Sequence, residues 1–406
     1  MSFNLSYIIK KRESIFFVLT TFVFLTFTIS YALNSISLFL FIPFFFLDKK
    51  QRIKEKLFAL KKNKTVILFV SFFLVQAIGI TYSQDINFAI KRTLVMLPLL
   101  FLPAILFVEE LDKKKFDKLL CLLKYAIPLT FLFYVIIHCF IDKRAINTFV
   151  HFTVTEKIKI SQFYLAFIVM VPIVETLRQI QKQQKLVING LILIIALGIL
   201  LLLGNKTIVV FLVILSLGIL YNLIKTDKKK ALIATIAIVL IVLLGSQLTI
   251  IKNKMGVFFK TTDFNLETII TKNKYTHTKN TAEHRFLIDY LSIKEIKDAL
   301  PFGVGTGDFQ EALNKEYEKI NFKAAIKEGY NNHNQYLSEF LKTGILGGLL
   351  FITLIVFLWN TPKSTIGYYF LLFFTLGCLV ESYLDRQHGV VIFAFIIPFF
   401  IKNEYN

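Results

Sequence analysis

Apolar runs of roughly membrane-spanning length recur along almost the whole chain, and no other feature limits its fold so tightly. Read by length and composition, they lie at about 15–33, 35–47, 65–82, 93–108, 119–141, 160–177, 186–204, 207–224, 231–247, 343–359, 366–383 and 388–401. Inside a bilayer every backbone N–H and C=O needs a partner within the protein, which leaves helices or closed barrels. Runs of this length are helical. The expectation is therefore an all-α polytopic membrane bundle of about twelve transmembrane helices. The run at 35–47 is short and reads as a tilted hairpin partner of the first. The sequence is 55% hydrophobic with 44 Phe and a mean hydropathy of +0.64, against about 45–50% apolar for soluble domains. That leaves no room for a large soluble part, so a single membrane domain over 1–406 is expected.

The formal charge is +20, which on its own would suit nucleic acid. The distribution points elsewhere. With the N-terminus inside, the cytoplasmic segments are 1–14, 48–64, 109–118, 178–185, 225–230, 360–365 and the C-terminal tail. They hold 24 of the 47 Lys and Arg, whereas short loops on the other face hold eight. That bias is the positive-inside pattern of a membrane protein, so no nucleic-acid partner is expected. Both termini are placed in the cytoplasm, consistent with an even number of spans. The first apolar run lacks a small-residue cleavage site and reads as a retained anchor. Cys121, Cys139 and Cys378 all fall in apolar runs and form no CxxC pair, so they read as small buried hydrophobes.

One segment interrupts the regular alternation. Residues 248–342 form a long outer loop with 14 basic and 12 acidic residues, and loops this long usually carry function. Within it, 281–299 places Phe286, Leu287, Tyr290, Leu291, Ile293 and Ile296 at helical spacing, which predicts an amphipathic helix on the membrane surface or against the spans. Residues 308–329 read as a second helix. Pro301 with Gly303, Gly305 and Gly307 marks a tight turn between them.

Four places carry residues suited to chemistry. His333, in NNHNQYLSEF, sits at the end of the outer loop, where an imidazole is able to take a proton near neutral pH. Asn332 and Asn334 flank it and are able to orient the ring or a sugar hydroxyl. The plainer reading is a helix-start histidine at the lipid interface. Arg285, in AEHRFLIDY, could hold a phosphate through its planar fork, or merely snorkel; His284 beside it reads as structural. Lys206 lies between two apolar runs, where a buried lysine costs about 2.5–3.5 kcal/mol. An anionic head group or simple solvation of a hairpin would account for it. Glu381, Asp385, Arg386 and His388 form the last outer turn, read as a mutually paired polar turn. Lys91, Arg92 and Lys159 are weaker outer-face cations.

Other chemistries are missing from the sequence. It has no Walker loop, no dinucleotide glycine fingerprint and no metal-ligand spacing, so no cofactor and no metal are expected. No Asp-x-Asp pair appears in the outer loop. An enzyme working on the outer face has no cytoplasmic ATP at hand, so its substrate must arrive activated, as lipid-linked pyrophosphate sugars do.

HNQYLSEFLKTGILGGLLF resembles the His-Asn-x-x-Leu…Gly-x-x-Gly…Phe signature of the O-antigen ligase/polymerase superfamily. HRFLIDYLSIKEIKDALPFGVGTGDF resembles its Arg…Pro-x-Gly-x-Gly…Phe stretch, and ESYLDRQHGVVIFAF its C-terminal segment. The resemblance implies a membrane glycosyltransferase of the GT-C type in the bacterial inner membrane, with its large loop periplasmic. The donor would be an undecaprenyl-pyrophosphate glycan and the acceptor lipid A–core, another glycan or a protein. It implies a metal-independent, inverting reaction with His333 as base and Arg285 on the pyrophosphate. Lys206 would assist where the family often has Ser-Arg; here Asn205-Lys206 keeps the charge and loses the fork. Asn334, Gly305 and Arg386 would support the site. A repeat-unit polymerase and a protein O-oligosaccharyltransferase share this donor chemistry. A lipid-linked glycan transporter is the reading from another class, and it would predict charges buried in mid-span.

Overall fold

The computed structural model describes residues 11–204, 213, 216–218, 221, 262–275, 280–361 and 364–402. Among them the regular structure is entirely helical. In chain order the helices are α1 (Arg12–Phe27), α2 (Tyr31–Phe39), α3 (Phe41–Phe46), α4 (Lys50–Lys62), α5 (Lys64–Ile78), α6 (Ile86–Met96), α7 (Pro98–Val108), α8 (Lys113–Ile136), α9 (Gln162–Gln181), α10 (Leu186–Leu203), α11 (Leu266–Tyr275), α12 (Thr281–Ala299), α13 (Phe309–Lys319), α14 (Lys323–Glu328), α15 (Gln335–Trp359), α16 (Thr365–Gly377) and α17 (Gln387–Lys402, through a π segment at Ile392–Ile396).

Among the described residues, five helices are long and apolar enough to cross a membrane: Ile86–Val108, Lys113–Ile141, Gln162–Gln181, Leu186–Leu203 and Gln335–Trp359. A sixth arises if Tyr31–Phe46 and Lys50–Lys62, bent by 114°, count as one broken span. The expected runs 207–224 and 231–247 fall largely or wholly outside the described residues. The run at 35–47 is not continuous. Pro43 has no N–H to bond back to Phe39, so α2 gives way to a separate α3. The run at 366–383 is helical only to Gly377, after which 378–386 turns irregularly. Segment 308–329 is two helices rather than one, because Asn321 adopts a left-handed φ of 52° between them.

The centre of the bundle is α17. Residues 388–401 are buried, as expected for a helix apolar all round. Among the described residues its phenylalanines interlock with rings from six other helices, α15 among them through Phe351. Phe393 stacks on Phe374 at 4.8 Å and meets Phe69 at 5.1 Å. Phe395 meets Phe41 at 5.4 Å, Phe399 meets Phe116 at 5.8 Å, and Phe24 lies 5.6 Å from Phe400. Offset and edge-on rings of this kind add roughly 0.5–1.5 kcal/mol per pair beyond area burial, which accounts for much of the Phe content.

Polar contacts gather at the two ends. At one end Arg12 pairs with Glu109 and Asp48, Lys56 with the same two carboxylates, and Arg178 with Asp117. These are the segments whose lysines and arginines marked them as cytoplasmic. At the other end α11–α14 form a cap with a core of its own, including Ile269, Leu287, Leu291, Phe309, Leu313 and Tyr317. The cap rests on the first half of α15 through Leu341.

Candidate functional site

α15 contains a kink that shapes the capped end. Thr343 and Gly344 are non-helical, with Gly344 at φ 63°. The kink frees carbonyls that the turn after α12 then satisfies: Val304 N–H donates to Leu341 O at 2.9 Å and Gly305 N–H to Lys342 O at 3.0 Å. In return Ile345 N–H donates to Pro301 O at 3.0 Å. The two backbones touch so closely that a Cβ on Gly303 would lie 2.6 Å from Gly344 N, and one on Gly344 would strike Pro301 O. The glycines expected in a turn are thus the dock between cap and bundle. Gly305 belongs to this dock, with φ 102° and Ser83 against it. Its contact at Lys342 lies about two helical turns, or roughly 12 Å, along α15 from Asn334, so it shapes the site's frame and does not line it.

Ahead of α15, Asn331–Gln335 is wired to the turn at 378–386. Asn331 donates to Asp385 at 3.1 Å, and Ser382 donates to Asn332 at 2.9 Å. Gln335 N–H donates to Cys378 O at 2.7 Å, and its side-chain oxygen accepts from Leu384 N–H at 2.7 Å. Asn334 caps α15, accepting from Leu337 N–H at 3.2 Å. His333 stands out among these residues. Its backbone is left-handed (φ 45°), stabilised by its N–H bonding Asn331 Oδ1 at 3.2 Å. Its Nδ1 has no hydrogen-bond partner among the described residues. A non-glycine residue in this region of φ is strained, and such strain concentrates at functional sites.

Around His333 the structure gathers groups from two distant stretches and from its own. Glu381 Oε2 lies 3.6 Å from His333 Nδ1, slightly beyond a hydrogen bond. Tyr330 packs edge-on to the ring at 5.8 Å. Asp289, one turn along α12 from Arg285, bonds Asn334 and feels the charges of both Arg285 and His333. Burial pushes the Asp289 carboxyl up to about 6, with Arg285 and Asn334 pulling the other way. Arg285 donates through Nη1 to Val380 O. Burial draws its guanidinium below its ordinary value, while Glu381 and Asp289 oppose that. Its other N–H groups have no protein partner among the described residues, leaving part of the fork open for an oxyanion.

The structure thus brings together Arg285, His333 and Asn334 of the residues singled out from sequence. Lys206 lies outside the described residues. Arg386 is exposed and forms no side-chain ion pair among the described residues, whereas its neighbour Asp385 is built in. The turn holding Glu381, Asp385, Arg386 and His388 is not self-paired as expected. Asp385 bonds Lys342 at 2.6 Å and lies 3.5 Å from Arg92. Burial alone would raise its carboxyl, but these two cations hold it below its ordinary value. Glu381 faces His333, and His388 packs among the rings of Phe27, Tyr31 and Tyr164. His284 is buried against Phe322 and Tyr330, as a structural residue should be. Asp289 was missed, although its i, i+4 spacing from Arg285 on a predicted helix was a readable signal.

The helical bundle thus carries, at its capped end, a histidine beside a carboxylate and an arginine whose guanidinium is only partly bonded among the described residues. The family model described as O-Antigen ligase matches residues 163–352, just under half of the chain. That segment is similar to the O-antigen ligase family, which supports the resemblance to the O-antigen ligase/polymerase superfamily. The match spans Arg285, Gly305, His333 and Asn334, and ends before Glu381. It supports a glycosyltransferase-like enzyme of ligase or polymerase type, in a multi-pass bacterial membrane protein. No curated protein matches the chain.

Proposed function

We propose that the protein transfers a glycan from undecaprenyl pyrophosphate to an acceptor hydroxyl on the outer face of the inner membrane, with lipid A–core as acceptor. One observation carries this reading: Arg285, His333 and Glu381, far apart in sequence, meet at the capped end. His333 takes the proton of the acceptor hydroxyl as its oxygen attacks the anomeric carbon. The bond from that carbon to the pyrophosphate oxygen breaks, and the leaving group departs with the electron pair. A single displacement of this kind inverts the anomeric centre. Glu381 steadies the imidazolium that forms, in the manner of a base–orienter pair. Arg285, with Lys206 assisting, stabilises the charge gathering on the pyrophosphate, so the reading requires no metal ion. The lysine-rich end then faces the cytoplasm, and the cap faces outward, on a bundle of about twelve spans.

The test is a strain lacking the gene. It should accumulate undecaprenyl-linked glycan and lose the glycan from lipid A–core, and the purified protein should restore the transfer in vitro. Longer lipid-linked chains made by the purified protein would instead identify a polymerase. Unchanged glycan on every acceptor in the deletion strain would refute the proposal.

A further inference from the structure

The end of the bundle opposite His333 holds a cavity that the transfer reaction does not use. Its volume is about 420 Å³, and Cys121, Lys124, Tyr125, Gln179, Gln184 and Lys185 line it, where α8, α9 and α10 meet. Lys124 is 1% exposed. Its Nζ donates to Gln179 Oε1 at 2.7 Å and Asn189 Oδ1 at 2.9 Å, and lies 4.5 Å from the Tyr125 ring centre. None of these partners is an anion. Glu175, the carboxylate that Gln179 also contacts, is already bonded by Arg178 at 2.8 Å and by Gln179 Nε2. A buried cation with neutral partners alone is unfavourable until an anion joins it.

Two further features point the same way. The turn into α10 takes left-handed conformations at Gln183 and Lys185, and no side chain caps the helix. The N–H groups of Leu186, Val187 and Ile188 find no acceptor among the described residues, and such a helix start attracts an oxyanion. An adjoining cavity of about 220 Å³ shares Gln179 and Gln184; Lys113, Arg178 and Lys182 line it together with Asp117 and Glu175, both paired to Arg178, so the lining keeps one net positive charge. Basic pockets between membrane helices suit phosphate-bearing head groups.

We propose that this pocket binds a phosphate oxyanion, either the phosphodiester of an anionic membrane lipid or free phosphate, with Lys124 as its buried anchor. The proposal stands apart from the transfer reaction. Cys121 is a native reporter, because it is exposed and lines the cavity, whereas Cys378 is buried. In a Cys139→Ser background, alkylation of Cys121 by a neutral maleimide is followed in detergent. The additions are short-chain phosphatidylglycerol, short-chain phosphatidylcholine or inorganic phosphate. At ten times the dissociation constant, the ligand leaves about a tenth of the sites open, so the rate should fall about tenfold. Slowing by phosphatidylglycerol alone identifies the lipid; slowing by inorganic phosphate as well identifies the free anion as sufficient. Lys124→Met should abolish the protection. If that variant does not fold, Lys185→Glu, at the exposed mouth, should weaken it. Equal rates with and without both phosphate ligands in the unsubstituted protein, or full protection retained in Lys124→Met, would overturn the proposal.

Discussion

Replacing His333 with glycine should leave stability nearly unchanged while removing most of the activity. The residue sits at φ 45°, a conformation that costs a non-glycine residue about 1–2 kcal/mol and glycine almost nothing. Against that relief stands little lost contact: the side chain is 28% exposed, its Nδ1 makes no hydrogen bond among the described residues, and its close neighbours are Tyr330 and a carboxylate at 3.6 Å. Glycine also makes the unfolded chain freer, which offsets roughly 0.4–1 kcal/mol. The net effect on stability should be within about 1 kcal/mol of zero, and not a collapse of the kind seen when a core ring is removed. Turnover behaves differently. Loss of a positioned base lowers rates about 10²–10⁴-fold, which is about 2.7–5.4 kcal/mol of transition-state stabilisation. The assay is transfer from purified undecaprenyl-pyrophosphate glycan to acceptor at matched protein, beside thermal unfolding in detergent. His333→Ala serves as a companion, keeping the backbone strain while losing the ring. Near-wild-type transfer in either variant would remove His333 as the base. Severe destabilisation of His333→Gly would show that the ring is a packing element.

Four other outcomes are expected. Arg285→Lys should keep only part of the activity because the fork is lost, and Arg285→Glu should abolish it while the protein still inserts; unchanged transfer in Arg285→Ala would take this residue out of the site. The Asp289 carboxyl, pushed up to about 6 from an ordinary 3.8, holds its proton more tightly folded than unfolded, so its favourable contribution is full below about pH 4 and is lost as pH rises through about 6. Asp289→Asn should thus be more stable than wild type at pH 7–8, with the advantage shrinking toward pH 4; a pH-independent difference in unfolding temperature would contradict this. Gly344→Ala combines a left-handed φ with a collision against Pro301 and should destabilise by about 2–5 kcal/mol, seen as loss of monodisperse protein, whereas a normal yield would mean that the dock yields easily. A cysteine placed at Lys274 should react with an impermeant reagent in intact cells and one at Lys228 should not; the reverse pattern would invert the assigned orientation.

Much of the helical layout was readable from sequence because helices are written locally. Alternation of apolar residues at a period of 3.6 placed a helix at 281–299, and α12 occupies the same residues. Pro301 and the glycines announced a turn, and the family motif singled out Arg285 and His333. What sequence left open was partnership. Any of several carboxylates near the last outer turn could have met any nearby cation, and the polar turn looked self-contained. Folding instead sends Asp385 to Lys342 and Arg92, and turns Glu381 toward His333. The same holds for the kink at Thr343–Gly344, which exists because the turn after α12 supplies its missing bonds, and for Lys124, whose burial among amides depends on where three helices cross. The physical reason is range. Backbone hydrogen bonding and side-chain periodicity act over four residues, so they are inscribed in each segment. Charge pairing and burial act through space between segments more than forty residues apart, and only the packed bundle decides which of them meet.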